Sequence, residues 1–182
     1  MRSTASTART TTSTDVTKQS TSVTVRDPAT GSMRFVVVPA AYVFLLREVA
    51  AGTEVLLQLR QGTGYMDGHW AAAAAGHVER GETAETAARR EAAEEIEVTD
   101  LDLFFVTAMQ RTAHDLPIDE RIDFFFTARS WRGEPHIVEP TKCADLRWFP
   151  LDALPDPVVP HERVVLTGLL QGDLAPLTHH GF

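Results

Sequence analysis

Cysteine is almost absent from this chain of 182 residues, in which Cys143 is the single one. A lone cysteine excludes an intramolecular disulfide, and a chain without disulfides suits a reducing compartment, so we expect a cytoplasmic protein. Cys143 itself fits a small buried hydrophobic residue better than a catalytic thiol, because no obvious base stands near it in the sequence.

Basic residues are also scarce. Lys and Arg together number 17 against 25 Asp and Glu, which gives a formal net charge of −8. Nucleic-acid polymers are bound by clustered Lys and Arg, so we do not expect such a partner. An acidic protein that handles a phosphorylated small molecule needs metal ions to bridge the like charges.

Long apolar runs are missing as well, since none reaches the roughly 18 residues that a membrane helix requires. The longest, FVVVPAAYVFLL, is interrupted by Pro39 and is followed by Arg47 and Glu48. A membrane role is therefore not expected. The run predicts a strand or a pair of strands instead.

The first part of the chain has little that could be buried. Residues 1–22 are mostly Ser and Thr, and this composition predicts a disordered tail over 1–32, ahead of a domain at 33–182. The tail resembles an organellar transit peptide in its Arg, Ser and Thr, but it lacks an amphipathic pattern. Met33 is an alternative translation start, which mass spectrometry of the native N-terminus would test.

The remaining sequence predicts an α/β fold. A turn at Ala51-Gly52 separates the first two predicted strands, and strand-like segments recur later; the predicted strands are 34–46, 53–60, 101–112, 121–131 and 145–149. Residues 83–96 are rich in Ala, Glu and Arg and predict a helix. A closing helix is predicted after Pro160, where apolar residues recur at helical spacing.

The first predicted helix contains RREAAEEIEV, which places Glu91, Glu94 and Glu95 on one narrow face. Carboxylates at these spacings repel one another by a few tenths of a kcal/mol per pair. A solvated helix face tolerates that repulsion, whereas a bound cation reverses it. The local pattern alone leaves both interpretations open.

The spacing of residues before the helix favours a bound cation over a solvated helix face. The positions with fixed spacing are, in order, Gly76, Glu82, Arg90, Glu91, Glu94 and Glu95. This pattern matches the signature G-x5-E-x7-R-E-U-x-E-E-x-G-U of the Nudix hydrolases, where U is aliphatic, at every fixed position of residues 76–98 except one. The chain therefore resembles the Nudix hydrolases, including those of MutT type.

This resemblance implies a fold and a chemistry. The expected fold is a mixed β-sheet sandwiched between α-helices, in the α/β (α+β) class. The expected reaction is hydrolysis of a diphosphate, which needs an activated water and neutralised phosphoryl charge. Mg²⁺, with Mn²⁺ as a substitute, supplies both when hard oxygen ligands hold it.

The resemblance also implies roles for individual residues. The metal ligands are expected to be Glu91, Glu94 and Glu95, joined by the backbone carbonyl of Ala75, although Ala-rich sequence replaces the usual Pro-Gly-Gly before Gly76. Glu94 and Glu95 are also expected to act in catalysis. Arg90 is expected to pair with Glu82 and so to pin the preceding loop to the helix; the alternative is an exposed helix arginine paired with a sequence neighbour.

A second similarity lies in WRGEPHIVEPTKCADLRWFPLDALP, residues 131–155. Related pyrophosphatases place another glutamate in this region opposite the metal helix, and the alignment puts it at Glu139, as general base or additional metal ligand. A surface carboxylate is the alternative. The asparagine with which these relatives read an oxidised guanine has no counterpart in DPVVPHER, so that substrate is not expected.

The one departure from the signature is Glu97, which stands where the family has glycine. A glycine just past a helix takes a left-handed conformation that costs other residues about 1 kcal/mol. We therefore expect Glu97 to change or strain the loop after the helix. It is not an expected ligand, so the chemistry should survive.

The loop GTGYMDGHW offers three further candidates, Tyr65, Asp67 and Trp70, for contacts with a base or sugar. The competing interpretation is a turn with Trp70 packed in the core, because aromatic residues are more often core than platform. His77 and His114 lie nearest the expected site. No histidine pair has metal-ligand spacing with an acidic partner, so none is assigned a catalytic role.

The sequence thus predicts an enzyme that hydrolyses a nucleoside diphosphate linked to another moiety. A nucleoside triphosphate cleaved to monophosphate and pyrophosphate is the first choice, and ADP-ribose or a nucleotide sugar is the alternative. A Nudix-fold module that senses a nucleotide without hydrolysing it is the rival from another class. The expected partner is a small molecule, and a homodimer is an expectation from the resemblance alone.

Overall fold

The computed structural model describes residues 24–113 and 116–182. These residues form ten strands, two α-helices and a 3-10 turn at Pro117–Asp119. In chain order the elements are β1 (Thr24–Arg26), β2 (Met33–Phe35), β3 (Val38–Val49), β4 (Gly52–Arg60), β5 (Trp70–Ala72), β6 (Ala74–His77), α1 (Ala84–Ile96), β7 (Leu103–Arg111), β8 (Arg121–Ala128), β9 (Cys143–Pro150), α2 (Pro160–Gln171) and β10 (Leu177–His180).

Eight strands form one mixed sheet in the order β10-β7-β8-β3-β4-β5, with β6 paired to β3 and β9 paired to β4. The long strand β3 is central: it runs parallel to β8, where Tyr42 lies opposite Phe125, and antiparallel to β4 and β6. Val49 pairs with Gly52, so the predicted hairpin between the first two long strands is confirmed.

Both faces of β3 are buried. Ala41, Val43 and Leu45 belong to one hydrophobic core, and the alternate residues Tyr42 and Phe44 belong to another. Successive side chains of a strand point to opposite faces, so a strand covered on both sides needs an uninterrupted apolar sequence. This requirement explains the run FVVVPAAYVFLL.

The two helices cover opposite faces of the sheet. Helix α1 joins the first core through its buried residues Ala87, Ala88, Ala92 and Ile96. Helix α2 joins the second core through Val165 and Leu166. The predicted fold class, a mixed sheet between α-helices, is confirmed.

Three short strands of the eight-stranded sheet were not predicted from the sequence. Two of them, β5 and β6, lie in WAAAAAGH, where alanine carries little strand preference. They form because neighbouring strands offer hydrogen-bonding edges: Leu59 pairs with Trp70, and Tyr42 pairs with Ala75. The third, β10, lies parallel to β7 after the second helix.

Part of the predicted tail has regular structure. Strand β1 pairs with β2, and the Asp27 side chain accepts hydrogen bonds from the backbone N–H groups of Ala29 and Thr30 in the turn between them. An aspartate that closes a turn in this way stabilises a hairpin that has almost no core. Among the described residues, regular structure is thus present from Thr24, ahead of the predicted domain start at Met33, while residues 1–23 lie outside the described residues.

No helix in the described part of the chain combines the length and the apolar character needed to cross a membrane.

Helix α1 begins and ends with recognisable caps. The Thr83 side chain accepts a hydrogen bond from the backbone N–H of Thr86 at 3.1 Å, as an N-cap residue does. At the other end Glu97 has φ 55° and ψ 36°, the left-handed conformation. Glu97 therefore keeps the backbone geometry of the family's glycine, so the loop is strained rather than changed.

We predict that Glu97→Gly raises the free energy of unfolding by up to about 1 kcal/mol, because glycine adopts a left-handed conformation without steric cost. Urea denaturation measures the change. The matched control is Glu97→Ala, which keeps the strained Cβ and loses only the exposed 2.9 Å ion pair with His136. A glycine variant no more stable than the alanine variant would show that the backbone is not strained here.

Candidate active site

The three glutamates of the motif do not have equivalent surroundings. Glu91 and Glu95 line a cleft of about 660 Å³, whereas Glu94 does not, and its side chain is 60 % exposed. The cleft lies beside β6, which continues directly into the loop before α1. Two of the three carboxylates predicted as metal ligands therefore share one cavity.

Glu91 lies directly against Gly76 of β6. A Cβ atom at position 76 would be 2.0 Å from Glu91 Oε1, so any side chain there would displace the carboxylate. The signature needs glycine at this position because the backbone of β6 and the carboxylate of α1 occupy neighbouring space. Burial raises the pKa of Glu91, and Arg90 partly offsets the effect.

Glu95 is held by the backbone of the same strand. Its Oε2 accepts a hydrogen bond from the Ala75 N–H at 2.9 Å. Burial raises the pKa of Glu95 to about 7, and the nearby charges of Glu91 and Glu139 contribute in the same direction. Ala75 is thus at the site through its N–H group, and ligation by its carbonyl stays a prediction.

Arg90 connects the helix to the preceding loop. Its guanidinium donates to Glu82 Oε1 at 2.9 Å and to the His77 carbonyl at 3.0 Å. It also donates to Glu91 at 2.7 Å and to Glu94 at 3.1 Å. The structure places Arg90 in the predicted contact with Glu82, and the same guanidinium orients two of the motif glutamates.

Glu82 is fixed from a second side. Its Oε1 also accepts a hydrogen bond from the Glu79 N–H at 2.7 Å. The bonds to Arg90 and Glu79 lower the pKa of Glu82, so this carboxylate stays ionised at neutral pH. Glu82 therefore links the loop backbone to the helix through a charged pair.

Glu139 lies near the cleft but does not line it. Its two carboxylate oxygens accept from Lys142 Nζ at 2.9 and 3.0 Å, and its side chain is 38 % exposed. Lys142 does line the cleft, and its charge acts to lower the pKa of Glu95. Between them these residues bring a carboxylate and an ammonium close to Glu95.

The donor set fits a hard divalent cation. Glu91 and Glu95, one helical turn apart, line one cleft with their carboxylates, and burial raises the pKa of both. Among residues 24–113 and 116–182, no three acidic, histidine or cysteine side chains converge as a ready-made cluster. The reason is visible at Glu94, which Arg90 holds at the surface.

A match to a family model over most of the chain identifies its family. Residues 37–169 match the model of the NUDIX domain. The chain belongs to the Nudix family. A comparison with curated proteins found no match.

Solved Nudix structures have the same fold. A MutT NUDIX hydrolase from Burkholderia pseudomallei is 25% identical, with a TM-score of 0.59 over 70% of this chain and 96% of that one. The NUDIX domain of Shewanella oneidensis NrtR, complexed with ADP ribose, is 16% identical with a TM-score of 0.62 over 80% and 92%. A C. elegans Ap4A hydrolase is 20% identical with a TM-score of 0.54 over 73% and 98%. The chain is a Nudix hydrolase.

Of the three loop residues predicted to bind substrate in this Nudix hydrolase, only Tyr65 lines the cleft. Asp67 instead accepts hydrogen bonds from Thr63 and Gly64 within its own loop. Trp70 packs edge-on against Phe149, with ring centroids 4.6 Å apart. Asp67 thus closes the turn of its own loop, and Trp70 packs against the sheet.

Other residues that line the cleft were not predicted from the sequence. Arg60, Arg111 and Arg121 come from three different strands, and His161 and Glu162 come from the start of α2. No local pattern links these positions, and only the sheet order brings them together. Pro160 is a typical first residue of a helix, so the sequence did indicate where α2 begins, but not that its first turn lies at the cleft. His114 lies outside the described residues.

Proposed function

We propose that this Nudix hydrolase cleaves a nucleoside triphosphate to the monophosphate and pyrophosphate with the help of Mg²⁺. The observation that carries the proposal is a cleft lined by Glu91 and Glu95 together with basic, aromatic and polar side chains. A cavity of about 660 Å³ is in the range of small-molecule sites and suits one nucleotide.

Glu91 and Glu95 would hold the cation, with Glu94 as a further ligand if Arg90 releases it. Bound there, Mg²⁺ would neutralise phosphoryl charge and make a water more acidic. Lys142 extends an ammonium into the cleft and can pair with a phosphate oxygen. Of the three carboxylates predicted to act in catalysis, Glu94, Glu95 and Glu139, Glu95 is the one that lines the cleft.

The carboxylates also explain why a metal is required. Without a cation, Glu91 and Glu95 would repel the phosphates of any nucleotide that entered the cleft. Mn²⁺ prefers similar oxygen ligands and should replace Mg²⁺. The metal ion and the substrate would therefore bind to the cleft together.

A substrate panel tests this function. The purified chain is assayed with nucleoside triphosphates, ADP-ribose and nucleotide sugars, with Mg²⁺ or Mn²⁺, and the products are identified. We expect at least one triphosphate to give monophosphate and pyrophosphate with a kcat/KM at least about tenfold above that for ADP-ribose, a difference of about 1.4 kcal/mol. Faster cleavage of ADP-ribose would favour the nucleotide-sugar alternative, and no cleavage of any compound would favour the sensing module.

A further inference from the structure

The segment between β8 and β9 brings Glu139 and Lys142 to the cleft on irregular backbone. Residues 133–142, here called the Glu139 loop, are described throughout and contain neither a helix nor a strand. Lys142 lines the cleft, and the charges of Lys142 and Glu139 both act on the pKa of Glu95. Such a loop keeps charged groups at a fixed position only if its backbone is bound on both sides of them.

The first side of the Glu139 loop is bound to the end of α1. The backbone N–H of Val138 donates to the Glu95 carbonyl at 3.3 Å. The backbone N–H of His136 donates to the Ile96 carbonyl, also at 3.3 Å. The last carbonyls of a helix lack partners within the helix, so the loop supplies donors that α1 itself cannot provide. The residue before Glu139 is therefore tied to Glu95, whose carboxylate lines the cleft.

The loop approaches the helix end closely at Gly133. This glycine has φ 99°, and a Cβ atom there would lie 2.8 Å from the Glu97 carbonyl oxygen, so a larger residue would push the loop away. The His136 ring also contacts the Glu97 carboxylate at 2.9 Å, with both side chains more than half exposed. Because exposed pairs contribute little, the first side is held mainly by its backbone.

The second side of the loop is bound by Gln61, the residue that follows β4. Gln61 Nε2 donates to the Pro140 carbonyl at 2.7 Å, across 79 positions of the sequence. The backbone N–H of Gln61 donates to the Lys142 carbonyl at 2.9 Å. The bond to Pro140 is the one that a substitution can remove, because the bond to Lys142 belongs to the backbone.

Both neighbours of Glu139 are thus fixed, and by different parts of the fold. Val138 is bound to α1, and Pro140 is bound to Gln61. The Glu139 carbonyl itself accepts from the Lys142 N–H at 2.9 Å, which closes a turn. A proline also restricts the residue before it to extended conformations. Without the Gln61 side chain, Glu139 would be tied to the rest of the fold through Val138 but not through Pro140.

We propose that Gln61 is a positioning residue for hydrolysis, whose side chain holds the Glu139 loop so that Lys142 and Glu139 stay beside Glu95. The inference rests on the proposed function for the place where the phosphates bind, but not on which nucleotide is cleaved. Gln61 does not line the cleft, so it acts through the loop. A displacement of about 1 Å at a reacting group can lower the rate about 100-fold, so a residue outside the cleft can control turnover.

Proteolysis measures the anchoring of the loop without any substrate. The chain has two lysines, Lys18 and Lys142, so a protease that cleaves after lysine has one site within residues 24–182, and that site lies in the Glu139 loop. Gln61→Met keeps the length of the side chain and removes the donor. We expect cleavage after Lys142 to be at least about fivefold faster in this variant, because the loop opens more often. Equal cleavage rates would overturn the inference whatever the substrate panel shows.

Kinetics on the nucleotide that the panel identifies measure the consequence for the reaction. Gln61→Met should lower kcat about tenfold, as loss of a residue that orients reacting groups does. Mg²⁺ binding by calorimetry should stay within about twofold of the wild type, because α1 and β6 still hold Glu91 and Glu95. The urea midpoint should not change, since Gln61 is exposed. An unchanged kcat, or a loss of Mg²⁺ affinity as large as the loss of kcat, would overturn the inference.

A double-mutant cycle tests whether Gln61 acts through the loop. In a chain that already carries Glu139→Gln and Lys142→Met, adding Gln61→Met should lower kcat by less than about twofold. A further tenfold loss in that background would place the effect elsewhere and overturn the inference. The matched control is Gln171→Met, an exposed glutamine at the end of α2, which should equal the wild type in digestion and kinetics. If the panel shows no cleavage of any compound, the proposed function fails, and the digestion rates decide whether Gln61 holds the loop.

Discussion

Replacing Glu95 by glutamine should abolish turnover while leaving the fold intact. Glu95 is the carboxylate that both lines the cleft and is anchored to the strand beside it, through the Ala75 N–H at 2.9 Å. Glutamine keeps the shape and the acceptor oxygen for that hydrogen bond, but it removes the negative charge that binds a cation. We expect kcat to fall at least about 1,000-fold, as when a group central to catalysis is removed.

Stability gives a second measurement on the same variant. Because burial raises the pKa of Glu95 from its ordinary value of 4.5 to about 7 in the metal-free fold, the charged form costs stability. This cost is absent below the ordinary pKa, grows as the pH rises from there to about 7, and stays constant above it. The glutamine side chain of the variant does not titrate. In urea denaturation the metal-free variant should therefore be as stable as the wild type at about pH 4 and more stable at about pH 7 and above.

Two further glutamate variants make the result specific. Glu85→Gln changes an exposed residue of the same helix that pairs with Arg89, and it should keep full activity. Glu94→Gln tests whether the exposed third glutamate is a metal ligand. If it is, calorimetry should show that this variant binds Mg²⁺ more weakly than the wild type. Wild-type activity in Glu95→Gln would refute the metal assignment altogether.

The predictable part of this site is the part that is local in sequence. Glu91 and Glu95 are brought to one face by helical periodicity, and the distance to Gly76 is set by a loop of fixed length. These residues, together with Arg90, could therefore be predicted from the sequence. It did not separate Glu94 from the other two, because the difference comes from a guanidinium that holds Glu94 at the rim.

The strands of the fold also differ in how far they could be predicted from local sequence. Strand β3 could be predicted because its apolar run is long and contains β-branched residues, whereas β6 is built from alanines and glycine. Alanine prefers helices, so only the pairing with β3 makes this segment a strand. The part of the cleft around His161 likewise depends on contacts between segments far apart in the chain.

Arg90 should prove to be the residue on which the geometry of the motif depends. We predict that Arg90→Met lowers kcat/KM about 10- to 100-fold, as loss of a residue that orients metal ligands does. Methionine has a similar length but leaves Glu82, Glu91 and Glu94 without their shared cation. Because Glu91 is partly buried and would lose its charged partner, the free energy of unfolding should fall by about 1–3 kcal/mol.

Two comparisons identify the cause of that loss. Arg90→Lys keeps the charge but cannot contact Glu82, Glu91 and the His77 carbonyl at once, so it should fall between the methionine variant and the wild type. Arg132→Met removes an exposed arginine that pairs with Asp100 at 3.4 Å, and it should change neither activity nor stability. If Arg90→Met bound Mg²⁺ and turned over substrate like the wild type, the arginine would be an ordinary surface residue, and the carboxylates would be oriented by β6 alone.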